Sequence, residues 1–186
     1  MLDSQDQEHF AECVGLARYY RCRMEGTIDR TINPDADTPE KKKRNDIWGA
    51  RCELVVALET GLPWTGIDRG AIADVGNNIE VKSTVYGKGH LIVRPHFHWE
   101  STGISRQNFK QYSYDEMMTL VPKSIAYINS HIYAFVVQDR RQNTVNIIGY
   151  IHGSKTMTPE YWSKSIFDDS WWIPQSDLTR NYGELV

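Results

Sequence analysis

The sequence has no apolar run approaching the roughly 20 residues that span a bilayer. Its first residues, Met1 to Glu8, are polar and acidic and contain no signal-peptide h-region. These absences predict a soluble, cytoplasmic protein with no membrane partner. Cys13, Cys22 and Cys52 are its only cysteines and stand at no CxxC spacing, which argues against a disulfide framework or a cysteine zinc site. Excess charge of one sign is also lacking: the formal net charge is -3. That excludes a protein coating nucleic acid by sheer basicity, but not one whose acidic metal ligands and bound ions complicate the count. Internal repeats, low-complexity tracts and an interdomain linker are absent, so residues 1–186 are expected to form one domain.

What is present is globular: 40% hydrophobic residues and 11% aromatics. Phe10 to Met24 mixes apolar and basic residues at helical spacing. Gly26 to Arg44, with Asn33-Pro34 and Pro39, reads as a surface loop ending in the basic run Lys41-Lys42-Lys43-Arg44. Asn45 or Asp46 is the expected cap of a helix running to about Thr60, with Gly61 in the terminating position. Ala71 to Asp74, Ile79 to Ser83 and His90 to Arg94 are short strand candidates, the first two joined by a Gly-Asn turn. Tyr114 to Leu120 reads as a short helix, and Ser124 to Asn129 as helix or strand. His131 to Gln138 and Thr144 to Ile151 form the clearest strand pair. Pro159 to Lys164 reads as a helical turn and Trp171-Trp172-Ile173-Pro174 as a terminal strand or aromatic plug. The order predicts an α/β (α+β) fold, with a central mixed β-sheet flanked by helices.

Chemistry concentrates between Ile72 and Thr84. On a strand, Glu80 and Lys82 share a face while Val81 points to the core. Charges aimed the same way from an apolar strand need a reason, because unpaired charge is costly near a core. If Asp74 lies opposite Asn78 or Glu80 across the turn, its carboxylate joins that face; a register shifted by one residue removes it. Two carboxylates and the Val81 carbonyl make an all-oxygen site for a hard cation such as Mg²⁺ or Mn²⁺. Lys82 is placed to orient or deprotonate a water and to offset developing negative charge.

Asp74, five intervening residues and Glu80-Val81-Lys82 resemble the (P)D-x(n)-(D/E)-x-K signature of the PD-(D/E)XK nuclease superfamily, with Ala73 in place of the proline. The resemblance covers residues 45 to 95 well and the rest in outline. It implies a restriction-endonuclease-like core and a metal-dependent deoxyribonuclease, an endonuclease, hydrolysing DNA through an activated water. It also places an acidic residue on the preceding helix. Glu53 matches that place, among the small neighbours Gly49, Ala50, Val56 and Ala57, with a water-mediated role towards metal; Glu59, nearer the helix end, is the competing acid. The catalytic set is thus Glu53, Asp74, Glu80 and Lys82. Residues 96 to 130 exceed the minimal core and read as an insertion shaping substrate choice.

Other signals are weaker. Ser83, Thr84 and His90 are candidate phosphate contacts, and Lys41 to Arg44 a candidate backbone contact, against ordinary strand content and a solvated loop. His96-Phe97-His98 lacks the further ligands of a closed metal site. A homodimer would suit a cutter of both strands, and a compact nuclease without accessory domains a phage or mobile-element product. The competing class is a non-catalytic DNA-binding or protein-interaction module that keeps the fold.

Overall fold

The computed structural model describes residues 4–25, 38–64, 66, 72–96, 112–164 and 169–186. Helix α1 (Ser4–Met24) packs along α2 (Pro39–Thr60). Strands β1 (Ile79–Thr84), β3 (Ile132–Asp139) and β4 (Thr144–His152) form one sheet, and β2 (Leu91–Val93), β5 (Trp162–Lys164) and β6 (Asp169–Ile173) a second. Between them lie α3 (Tyr114–Leu120) and α4 (Pro122–Ser130), with the single turn α5 (Gly153–Thr156) after β4. The fold is mixed α+β, as the element order predicts. The first sheet is itself mixed, since β1 runs parallel to β3 and β4 antiparallel to it.

Strand β3 is the centre. Its burial is continuous from Ile132 to Gln138, the mark of a strand covered on both faces. Ile132, Ala134 and Val136 join Cys52, Val56 and Ala57 of α2 in one apolar cluster. Tyr133, Phe135 and Val137 join Met117 of α3, Ile128 of α4 and Val121 between them, and Leu91, Trp171 and Ile173 of the second sheet, in another. Helix α2 thus covers one face of the first sheet, and α3, α4 and the second sheet cover the other. Trp171 is fully buried, so it serves as packing.

Several expectations need correction. Helix α2 begins at Pro39, not after Asn45: Thr38 is the N-cap, its hydroxyl accepting from Lys41 N at 3.3 Å, and Pro39 suits the first helical turn. Lys41 to Arg44 therefore lie on a helix, while residues 26–37 of the expected loop are outside the described residues. The helix does end at Thr60, with Gly61 left-handed at φ 70°. No strand forms over residues 72–74, and Ala71 is outside the described residues. Only Val75 bridges to Ile79, by reciprocal hydrogen bonds of 3.1 Å around the turn at Gly76. Strand β2 does not join β1 in a single sheet but pairs with β6, because Leu91 and Val93 bury against Trp171 and Ile173. Within Pro159 to Lys164, a hydrogen-bonded turn gives way to β5 at Trp162. Ser124 to Asn129 is helical, and residues 97–111 of the expected insertion are outside the described residues. Among the described residues no helix is long and apolar enough to cross a membrane.

One close approach sets the position of α1. A Cβ on Gly15 would sit 2.4 Å from Ile47 Cα, so only glycine lets α1 lie this near α2. Gly15→Ala is expected to force the helices apart and to lower stability by about 1–3 kcal/mol in urea unfolding. An unchanged midpoint would show that α1 can shift without cost.

Candidate functional site

The site straddles the outer edge of β1. Ile79 and Val81 turn towards α2, so Glu80 and Lys82 face the opposite side, with Tyr133 and Phe135 of β3 in register beside them. The Val75–Ile79 bridge fixes the register of the turn and sets Asp74 opposite Glu80, as one of the two expected alignments requires. Asp74 then departs from strand geometry. Its Oδ2 accepts from Val81 N at 2.7 Å, taking a backbone donor that a ladder carbonyl would otherwise use. A residue's N–H and C=O leave a strand on the same side. The Val81 carbonyl therefore faces the same edge as Asp74.

The three carboxylates differ in how their charge is met. Glu53, buried on α2, receives Arg18 of α1 through both oxygens at 2.7 and 2.5 Å and Trp64 Nε1 at 2.9 Å. Arg18 in turn donates from Nε to Gly66 O at 3.1 Å. Glu80 accepts from Lys82 Nζ at 2.7 Å on Oε2 and from the Tyr127 hydroxyl on Oε1. Asp74 has only the Val81 amide among the described residues. Burial first, and then the charges of Glu80 and Glu53, push its carboxyl up to about 8 against the pull of Lys82 and that amide. Burial works against ionisation of Glu80 as well, but Lys82, Tyr127 and the nearby His131 outweigh it and hold Glu80 below the usual carboxylate range. Burial opposes the Lys82 charge and is overcome by Glu80 and Asp74, so its ammonium is held above the usual range with 38% of its side chain still exposed. Burial and Glu80 together raise the Tyr127 hydroxyl, which stays a donor.

Tyr127, Arg18, Trp64 and His131 belong to the site but are not identified from the sequence. Tyr127 comes from α4, in the segment read as an insertion, and its ring stacks on His131 at 3.8 Å, with His96 edge-on at 6.0 Å. His131 Nδ1 lies 2.6 Å from the Tyr127 carbonyl. A buried helical glutamate needs a cation, but nothing in the sequence marks Arg18, 35 residues away, as its partner.

Other expected site residues lie elsewhere. Ser83 Oγ accepts from Gln138 Nε2 at 2.8 Å, and Thr84 Oγ1 caps a turn by accepting from Tyr86 N at 3.2 Å. His90 is exposed beside Trp172 at 6.0 Å. His98 is outside the described residues. Glu59 is exposed and accepts from the Tyr150 hydroxyl, away from the cluster. Lys41 to Arg44 sit at the far end of α2 from Gly61. The cysteines are free, and burial pushes the Cys52 thiol up to about 11. An open apolar hollow of ≈ 400 Å³ beside Trp64, lined by Phe10, Leu54, Leu58 and Leu62, holds no acid, base or nucleophile.

The donor set fits a hard cation only in part. Among the described residues no three His, Cys, Asp or Glu side chains form a group able to hold a metal on their own. Both oxygens of Glu53 are held by Arg18 and Trp64, and both of Glu80 by Lys82 and Tyr127, so Asp74 Oδ1 is the carboxylate oxygen of the cluster with no hydrogen bond among the described residues. Glu53, locked to a guanidinium, is a positioning residue; Glu80 would share its oxygens between its donors and an ion beside Asp74 and the Val81 carbonyl, and Mg²⁺ is commonly held by one or two carboxylates with waters and substrate oxygens. A half-buried Asp74 with no counter-charge of its own among the described residues is the feature such an ion would satisfy. Family models, curated proteins and solved structures yield no match to this chain.

Two expectations follow from the charge pattern. Asp74 binds a proton more tightly folded (about 8) than unfolded (3.8), so the metal-free protein should lose stability as pH rises through that window. Asp74→Asn, whose amide oxygen can still accept from Val81, should then raise Tm at pH 8 in EDTA and lose that advantage by pH 4. A gain at both pH values would assign the effect to packing. Arg18→Ala, which strands Glu53, should cost about 3–5 kcal/mol, with part of the loss recovered in an Arg18→Met/Glu53→Leu double variant. Equal loss in the double variant would mean that the ion pair is not the cause.

Proposed function

We propose that this chain is a metal-dependent deoxyribonuclease with a restriction-endonuclease-like core, an endonuclease that hydrolyses DNA phosphodiester bonds with Mg²⁺ or Mn²⁺. The observation that carries the reading is the meeting of Asp74, Glu80 and Lys82 at one strand edge, with Asp74 the acid whose ionised form is left without a cation of its own. The helix bearing Glu53, the hairpin stub, β1 with Glu80-Val81-Lys82 and the parallel return to β3 through α3 and α4 follow the superfamily's order of elements. The stub and the departure of β2 are where this chain differs from that plan.

In this reading Asp74, Glu80 and the Val81 carbonyl hold the ion, and Arg18 keeps Glu53 beside them. A bound ion supplies Lewis acidity that lowers the pKa of a water and offsets charge on phosphate. Lys82, anchored on Glu80, presents an ammonium rather than a free amine. Its role is accordingly to orient the attacking water and to stabilise negative charge on the phosphoryl oxygens, not to take a proton. Water attacks phosphorus and releases a proton to solvent, the P–O bond to the leaving oxygen breaks, and solvent supplies the proton that oxygen needs. Tyr127 holds Glu80 in the orientation that serves both Lys82 and the ion.

Purified protein should cut duplex, supercoiled, single-stranded or branched DNA in Mn²⁺ and be silent in EDTA. Lys82→Ala should lower the rate about 10²–10³-fold, the size of losing one preorganised charge donor. Cleavage that is equal in wild type and Lys82→Ala would sink the mechanism. Metal-independent DNA binding without cleavage would favour a binding module that keeps the fold.

A further inference from the structure

A second set of charges lies on α2 and the β3–β4 turn, on the α2 side of the first sheet. Trp48, 6% exposed, carries two guanidinium groups over its ring, Arg51 at 5.0 Å and Arg140 at 5.8 Å. Their hydrogen bonds go to neutral amides. Arg140 donates from Nε to Gln138 Oε1 and from Nη2 to Asn45 Oδ1, both at 3.0 Å, and Arg51 donates to Asn143 Oδ1 at 2.7 Å. Arg51 Nε is buried without any acceptor. Arg44 stands close enough to disfavour the charge on Arg140, which burial already disfavours. Among the described residues, Lys43, Arg44, Arg51, Arg140 and Arg141 have no carboxylate partner.

Arg18, the arginine buried between α1 and α2, is given a carboxylate by Glu53, whereas this group is given none among the described residues. Here like charges are brought together and fixed by an indole face and amides, which orient a guanidinium without neutralising it. In a chain of net charge -3, such a concentration is segregation rather than overall basicity. Rigid, unneutralised guanidiniums match the oxygens of a phosphate geometrically as well as by charge. Arg141, exposed at the hairpin tip, and Arg44 on the first turns of α2 extend the charge on both sides of Trp48.

We propose that Arg44, Arg51, Arg140 and Arg141, held by Trp48, Asn45, Gln138 and Asn143, form a binding surface for the phosphodiester backbone of a nucleic acid. The proposal rests on the nuclease reading for its purpose, because the surface and the carboxylates share α2. Arg44 precedes Glu53 by nine residues, about 14 Å of helix. A backbone held there is gripped roughly four base steps from the carboxylates at the 3.4 Å rise of each strand. The hydrogen-bond run from Arg140 through Gln138 to Ser83 joins the surface to the strand that carries Lys82.

The test is equilibrium binding of the full chain to a fluorescent 20-base-pair duplex and to the matching single strand, in EDTA, across a salt series. Arg51→Gln/Arg140→Gln is compared with wild type, and Arg44→Gln/Arg141→Gln serves as a second pair on exposed residues that cannot disturb Trp48. Each pair should weaken binding tenfold or more near 100 mM salt and flatten the slope of log affinity against log salt by about two. Affinity and slope unaltered in the exposed pair would overturn the proposal, as would binding to anionic lipid vesicles but not to either nucleic acid. Wild type that binds through these arginines yet cuts nothing in Mn²⁺ would refute the nuclease reading and leave the surface intact. Cutting that is indifferent to all four substitutions would do the reverse.

Discussion

Strand β3 admits almost no polar side chain until its end, because both of its faces are covered by helices and by the second sheet. Polar chemistry on the first sheet is therefore displaced to its margins. The outer edge of β4 is met by the backbone of Thr179, which pairs with Tyr150 in both directions. That leaves the outer edge of β1, where Val75 covers Ile79 and the next donor, Val81 N, is taken by a side chain instead of a strand. The burial of β3 decides where a charged cluster is affordable: on an edge strand, with solvent within reach of Lys82 and apolar walls on two sides.

Within that cluster the charges are unevenly matched, and the imbalance has a direction. Glu53 and Glu80 each have a cation and a second donor, so their ionised forms are stabilised in place. Asp74 has the proximity of both carboxylates and one backbone amide. A fold selected for stability alone would replace it with a neutral acceptor, since asparagine supplies the same hydrogen bond without the charge. Retaining the acid at the most repelled position makes sense when a cation joins it. Glu53 contributes by repulsion at a distance while its own oxygens stay with Arg18 and Trp64, which separates the roles of acids that the motif alone treats alike.

How much of this is legible in the sequence follows from the range of each interaction. The two-residue period of β1 places Glu80 and Lys82 on one face, and Gly61 marks the end of α2, because both depend on a few adjacent residues. Asp74 opposite Glu80 follows from the turn once the Val75–Ile79 bridge is set. The start of α2 is hidden because Lys41 to Arg44 carry helix propensity without apolar periodicity, and Thr38 reads as one polar residue among many. The missing first strand is hidden because Asp74 competes with the backbone for Val81, a choice that periodicity does not record. Leu91 to Val93 look alike whether they pair with β1 or with β6, and only Trp171 and Ile173, some eighty residues later, select between them. Arg18 and Tyr127 lie 35 and 47 residues from their glutamates, and nothing local announces either pairing.

Helix α2 connects the two charge systems, and its orientation is fixed by α1 at two points. Gly15 allows α1 to approach Ile47 closely, and Arg18 from the same helix grips Glu53, so rotation of α2 about its axis is opposed by both contacts. The same rotation would move Trp48 and the guanidiniums stacked upon it relative to β3 and its turn. A purely structural helix needs one apolar face against the sheet, which Cys52, Val56 and Ala57 already provide. The additional constraints from α1 make sense if α2 must present Glu53 to the edge of β1 and unneutralised arginines to a phosphate backbone at a fixed separation. A binding module would require only the arginines. It gives no account of why the other half of the helix holds a buried acid next to Asp74.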